Sequence, residues 1–216
     1  MLILDKSGSM FSNFVDDGMG GSISRWNSLH NVVSNVTSSN DATLNLGAQL
    51  FPKSGASTSF SIASCDTDTT PEVTVAEMNG TDIMAGIPGP TATGEGGATP
   101  AFAGLDSAYN HLSTLDPEIP KYAIFITDGA ANCRADLVDD ALMCGTDFGC
   151  NQVEIPEAWE TFDDNVATRV GQAFADGVTT FVVGIGIGDC DPNSGISCTS
   201  DADCPAGPAW APMHLG

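Results

Sequence analysis

Three short segments of this sequence carry oxygen donors where they could share one ion. Asp5-Lys6-Ser7-Gly8-Ser9 follows the apolar run Leu2-Ile3-Leu4, Asp128 follows the apolar run Tyr122–Ile126, and Thr99-Pro100 stands just ahead of an amphipathic segment. In open α/β sheets, ligands collect beyond the carboxyl ends of the strands. Asp5, Ser7, Ser9, Thr99 and Asp128 are therefore expected at one edge of a sheet. Two carboxylates and three hydroxyls are all hard donors, which suits Mg²⁺, or Ca²⁺ or Mn²⁺, and offers no soft ligand for zinc or copper. With only two formal negative charges, such a site leaves a divalent ion a positive face, with water-filled positions open to an incoming carboxylate. Singly, each residue is ordinary: an Asp at a strand end often caps a turn, and Ser-Gly-Ser is common in loops. Together, all three pieces are expected to fall at the same edge, where their oxygens can share one ion.

Other chemistries fit less well. A phosphoryl-transfer hydrolase with an aspartyl nucleophile needs a second Asp two residues after the first, and Ser7 stands there. No Ser–His–Asp set assembles, because His30 and His111 fall within predicted helices and His214 lies near the end; each reads as a surface or packing histidine. The seven cysteines form no Cys-x-x-Cys pair and lie away from the histidines, which argues against zinc. Cys133, Cys144, Cys150, Cys190, Cys198 and Cys204 are disulfide candidates of an oxidising compartment, bridged mainly within the two groups 133–150 and 190–204. Cys65 is expected to be the odd thiol. Asp189-Cys190-Asp191-Pro192-Asn193 opens like a calcium loop, but Ser stands at 194 and 200, where an EF-hand has Gly and Glu.

The elements that must position the donors read as buried strands alternating with amphipathic helices. Leu2–Leu4 predicts a strand and residues 6–24 a loop. Trp26, Leu29, Val32, Val33 and Val36 predict a helix over 25–38, and Leu44, Leu46, Ala48 and Leu50 a strand over 42–51 with one apolar face. Short strands are expected around Phe60 to Ile62 and around Val73 to Val75, and a helical turn over 81–85. Thr99 as N-cap and Pro100 at the first helical position open a helix with Ala101, Leu105, Ala108, Leu112 and Leu115 inward. The continuous apolar runs 122–126 and 178–185 read as strands covered on both faces. Between them, 157–175 reads as a helix with Trp159, Phe162, Val166, Val170 and Phe174 inward and Gly177 beyond its end. No element is expected in the last thirty or so residues. The alternation predicts an α/β fold with a mainly parallel sheet.

Asp5-Lys6-Ser7-Gly8-Ser9-Met10, Gly96-Gly97-Ala98-Thr99-Pro100 and Ile126-Thr127-Asp128-Gly129 together resemble the von Willebrand factor type A (vWA) domain and the three pieces of its metal-ion-dependent adhesion site. Arg25-Trp26 and Leu50-Phe51-Pro52 look like bacterial, secreted members. The resemblance covers residues 1–188 and leaves 189–216 as a Cys-rich tail or a truncated end. It implies a doubly wound, Rossmann-like, mainly parallel sheet with helices on both faces and one antiparallel edge strand, its last strand and helix missing or replaced. It implies Ser7 and Ser9 as direct metal ligands, Thr99 as direct or water-mediated by state, and Asp5 and Asp128 as acting mostly through water. The paired acids that integrin β-type domains use for a second metal are replaced by Ser12 and Asn13. The implied activity is binding rather than catalysis: a Mg²⁺-dependent adhesion module, with Ca²⁺ or Mn²⁺ as alternatives, whose protein or glycan partner supplies a carboxylate.

Charge narrows the partners. Against 28 acidic residues stand six cations, Lys6, Arg25, Lys53, Lys121, Arg134 and Arg169, scattered singly, for a formal charge of −22. Nucleic acid and anionic membranes need clustered cations and are not expected partners. No apolar run approaches the roughly 18–20 residues that span a bilayer, so membrane insertion is not expected. The acids are expected on the surface, since a buried unpaired carboxylate costs several kcal/mol. The loop cysteines point to an extracellular or cell-surface location, with no signal peptide visible and Met1 running straight into a strand, as in a fragment or mature region. The sequons at Asn35 and Asn79 fit export but match by chance often. The alternative is an intracellular vWA adaptor subunit of a chelatase- or ATPase-type assembly.

Overall fold

The computed structural model describes residues 1–58, 62–129, 131, 133, 163, 165–185, 189–191 and 196–197. In chain order the elements are β1 (Leu2–Asp5), α1 (Gly8–Ser12), β2 (Phe14–Asp16), β3 (Ser22–Ser24), α2 (Arg25–Asn40), β4 (Leu46–Phe51), a 3₁₀ turn (Ile62–Ser64), β5 (Val73–Ala76), α3 (Gly80–Gly86) and α4 (Ala101–Ser113). They continue with β6 (Lys121–Thr127), α5 (Asn165–Ala175), β7 (Val178–Gly184), β8 (Asp189–Asp191) and β9 (Ile196–Ser197). The fold is α/β. Among the described residues its main sheet has five strands in the order β5-β4-β1-β6-β7, all parallel except β5, which runs antiparallel at one edge.

The sheet is sandwiched because its central strands are apolar on both faces. All four residues of β1 and all six of β4 are buried. On one face Ile3, Phe51 and Phe125 pack with Leu105 of α4 and with Val166 and Val170 of α5. On the other, Leu4, Leu50 and Ile126 pack with Met10, Trp26 and Ile83, contributed by α1, α2 and α3. Register then places the donors. Leu4 is the partner of both Leu50 and Ile126, so Asp5 and the Thr127-Asp128 step leave the sheet at one edge. Gly104 lets α4 lie close at that edge, since a Cβ there would come within 2.8 Å of the Phe51 side chain.

Several sequence expectations are corrected. Residues 6–24 are not one loop: they form α1 and the two-stranded hairpin of β2 and β3. β4 is not half-buried. Gln49 is fully buried on its second face, its amide donating to Leu50 O and accepting from the Ser107 hydroxyl, and Gly47 leaves room for β5. Leu44 and Val32 are exposed. Of the strand expected around Phe60 to Ile62, Phe60 lies outside the described residues, and Ile62 opens the 3₁₀ turn instead. Helix α4 starts at Ala101 with Pro100 at the cap position, one residue later than expected, and Thr99 accepts the Ala101 N–H at its main-chain oxygen. Phe174 is exposed and Ala173 faces the core instead, because α5 turns its Val166, Val170 and Ala173 side inward. The predicted start of that helix, with Trp159 and Phe162, lies outside the described residues. A short antiparallel pair, β8 with β9, stands where no element was expected. Among the described residues no helix is long and apolar enough to cross a membrane.

Candidate functional site

The site begins with Asp5, the last residue of β1 and fully buried. Its Oδ1 accepts the Ser7 N–H at 2.7 Å and its Oδ2 the Thr127 hydroxyl at 2.6 Å. The first bond closes the turn into α1, for which Ser7 is the N-cap residue; the second ties the ends of β1 and β6 together. The Ser7 and Ser9 hydroxyl oxygens lie 3.0 Å apart, and Ser9 Oγ donates to Asp128 Oδ1 at 2.8 Å. Asp128 Oδ2 accepts from Arg25 Nη1 at 2.8 Å. Asp5, Ser7, Ser9 and Asp128 thus share one connected network at the carboxyl edge of the sheet.

Thr99 reaches this edge on a loop clamped from several sides. Gly8 N–H donates to Gly97 O at 2.9 Å, joining the loop to the Ser7–Ser9 turn, and Ala98 N–H donates to Ser64 O at 2.9 Å. Gly97 has φ +123°, and a Cβ there would stand 2.8 Å from both Pro52 and Ser64 O, so only glycine fits. Lys6, fully buried, donates from Nζ to Glu95 Oε2 at 2.8 Å and to Gly96 O at 3.3 Å. Thr99 itself is 8% exposed.

The electrostatics follow from burial. The Asp5 carboxyl is pushed up to about 6, first by desolvation and then by the negative charge of Asp128, while the hydrogen bonds from Thr127 and Ser7 pull it back. Asp5, Asp128 and Asp163 are buried, which corrects the expectation that the acids all sit on the surface. Hydrogen bonds replace water for them: Asp163, for example, accepts the Asn165 N–H at 3.1 Å.

The cysteine partition is also corrected. Cys65 and Cys133 form a disulfide across 68 residues, so Cys65 is not the odd thiol and Cys133 is not bridged inside its own group. The reason is spatial. The Cys65 turn is held at this edge by the Ala98–Ser64 bond and by Lys53 N–H to Asp66 O at 2.8 Å, and Cys133 follows Asp128 by five residues. Cys144, Cys150, Cys198 and Cys204 lie outside the described residues, as does His214; Cys190 stands in β8. His111 is a packing residue, its Nε2 accepting the Val75 N–H at 3.1 Å.

Arg25, Lys6 and Thr127 are contacts that the sequence reading did not assign. Spacing carries no signal for them: Lys6 fills the variable place between Asp5 and Ser7, and Arg25 drew notice only as part of the family resemblance. Among the described residues no group of three or more His, Cys, Asp or Glu is arranged to hold a metal. A set of two carboxylates completed by hydroxyls is not a group of that kind. Compared with protein-family models, curated proteins and solved structures, the chain matches none.

Proposed function

We propose that the chain is a vWA domain whose Asp5–Ser7–Ser9–Asp128 edge binds a divalent cation and, through it, an acidic partner. The observation that carries this reading is the pair of hydroxyls 3.0 Å apart, with Ser9 hydrogen-bonded to one of the two buried carboxylates and the Ser7 turn closed by the other. The donor chemistry fits a hard ion: neutral oxygens in front, carboxylates that polarise and orient them, and no sulfur or imidazole among them. Ser7 and Ser9 would hold Mg²⁺, or Ca²⁺ or Mn²⁺, with Thr99 as a further donor and Asp5 and Asp128 anchoring through hydroxyls and water. When bound, the ion supplies a Lewis-acidic position for a carboxylate from a protein or glycan. The chain's own part is to fix the two hydroxyls and keep the donor set nearly neutral, so that the ion retains its attraction for an anion.

The sheet order supports the family reading, with one antiparallel strand at one edge and β7 at the other, where the resemblance places a further strand and helix. The Cys65–Cys133 bridge favours an extracellular or cell-surface setting over an intracellular adaptor. Calorimetry with Mg²⁺, Mn²⁺ and Ca²⁺ tests the site. Asp5→Asn and Ser9→Ala should each weaken metal binding by about 10–100-fold with the circular dichroism spectrum retained. Equal affinity in all three proteins would overturn the assignment.

A further inference from the structure

Resting on that reading of the metal site, we propose that Arg25 is a built-in positive charge of the centre, which weakens the hold on the metal and strengthens the hold on the acidic partner. Arg25 is placed for this by its backbone. It is the first residue of α2, its N–H donates to Asn13 O at 3.0 Å, and the Ser24 hydroxyl caps the same helix by accepting the Asn27 N–H at 3.1 Å. The guanidinium therefore leaves a fixed helix start and reaches Asp128 Oδ2 at 2.8 Å. Its side chain is 16% exposed while that of Asp128 is fully buried, so the pair is largely withdrawn from water and its charges are weakly screened.

The other described cations are engaged elsewhere. Lys6 is paired with Glu95, Lys53 with Asp66 and Arg169 with Asp106, and Lys121 donates to Leu115 O. Among the described residues, Arg25 is the one cation recorded in an ion pair with a carboxylate of the centre. An arginine stays charged at every working pH. Counted with both carboxylates ionised, Asp5, Asp128 and Arg25 sum to one negative charge, and a divalent ion turns that sum to one positive. Without Arg25 the loaded site would be neutral. The same guanidinium thus repels the metal and attracts an anion, and its removal must move the two affinities in opposite directions.

The test uses the full chain with Mn²⁺ and acetate as probes. Free Mn²⁺ is counted by electron paramagnetic resonance, and acetate binding to the Mn²⁺-loaded protein is read from paramagnetic broadening of its carbon resonances. Arg25→Gln should raise Mn²⁺ affinity on the order of 10-fold and lower acetate affinity by a similar factor. Arg25→Lys keeps the charge and should stay within about 2-fold of wild type in both. If Arg25→Gln instead lowers or leaves unchanged the Mn²⁺ affinity, while wild type binds the ion, the guanidinium serves only to hold Asp128 in place and the inference is overturned. A wild-type protein that takes up no Mn²⁺ overturns the site reading and this inference with it.

Discussion

The carboxyl edge of β1 and β6 and the outer edge at β7 are built on opposite terms. At the first, buried polar groups are satisfied by partners far apart in the chain: Thr127 to Asp5 across 122 residues, Ser9 to Asp128 across 119, and Lys6 to Glu95 across 89. At the second, Phe181, Val182 and Val183 remain 55%, 45% and 44% exposed. There, β7 is held by an unbroken ladder from Lys121–Val178 to Thr127–Gly184, by one hydroxyl contact between Tyr109 and Thr180, and by a loose stack of Phe181 on Tyr122. The polar edge is specified pair by pair, so each lost partner strands another buried group. The apolar edge is specified by backbone pairing and by Val178, buried in the core at the start of β7, while the exposed Phe181, Val182 and Val183 are far less constrained.

The largest expected effect lies in the covalent strap at the polar edge. Replacing both partners, Cys65→Ser with Cys133→Ser, frees a 68-residue separation in the unfolded chain, worth up to about 4 kcal/mol by loop entropy. For a chain of this size, that lowers the melting temperature on the order of 10 °C. Calorimetric melting checks it, and a dithiol reductant should reproduce the shift in the wild type. A melt unchanged by both would mean that the hydrogen bonds alone hold the edge.

A pH dependence comes next. Glu72 Oε2 accepts the Leu50 N–H at 2.6 Å, and Oε1 is buried with no hydrogen-bond partner among the described residues. Burial pushes this carboxyl up to about 7 from an ordinary 4.5. The folded state then holds a proton that the unfolded state releases, so stability is fully present below about pH 4.5 and is lost as pH rises toward 7. The loss approaches about 3 kcal/mol. Glu72→Gln keeps an oxygen for Leu50 and carries no charge. In urea unfolding it should match wild type at pH 4.5 and exceed it at pH 8, and parallel pH profiles would refute the burial argument.

The same contrast explains what the sequence discloses. The apolar runs Leu2–Leu4, Tyr122–Ile126 and 178–185 announce themselves as parallel strands. The expectation that the last two are covered on both faces fails at Tyr122 and at Phe181, Val182 and Val183, which stand exposed: an apolar run marks a strand without fixing which of its faces is packed. The ends of the first two runs then indicate where Asp5 and Asp128 emerge. The hairpin of β2 and β3 does not announce itself, because three-residue strands carrying the exposed Phe14 have no periodicity to read. The Cys65–Cys133 pairing is equally silent, since it depends on where the Ser64 turn meets the loop before Thr99. Arg25 on Asp128 belongs to the same class: a contact across 103 residues is set by packing, not by spacing.

The smallest expected effect belongs to the apolar edge and sharpens the contrast. Phe125 and Phe181 stand on neighbouring strands of one sheet, yet Phe125 is 4% exposed and Phe181 55%. Truncating a buried phenylalanine costs roughly 3–5 kcal/mol, because the transfer energy is lost and a cavity is left. Phe181→Ala leaves no cavity. It forfeits the Tyr122 stack, whose ring centroids are 6.3 Å apart, and part of an already wet surface. About 1 kcal/mol is the expected cost, a few degrees in melting temperature. A double-mutant cycle with Tyr122→Ala should assign most of that cost to the pair, because the ladder beneath makes no use of either ring. A loss as large as that of a core phenylalanine would mean that the β7 face is covered in solution, and the distinction between the two edges would then fail.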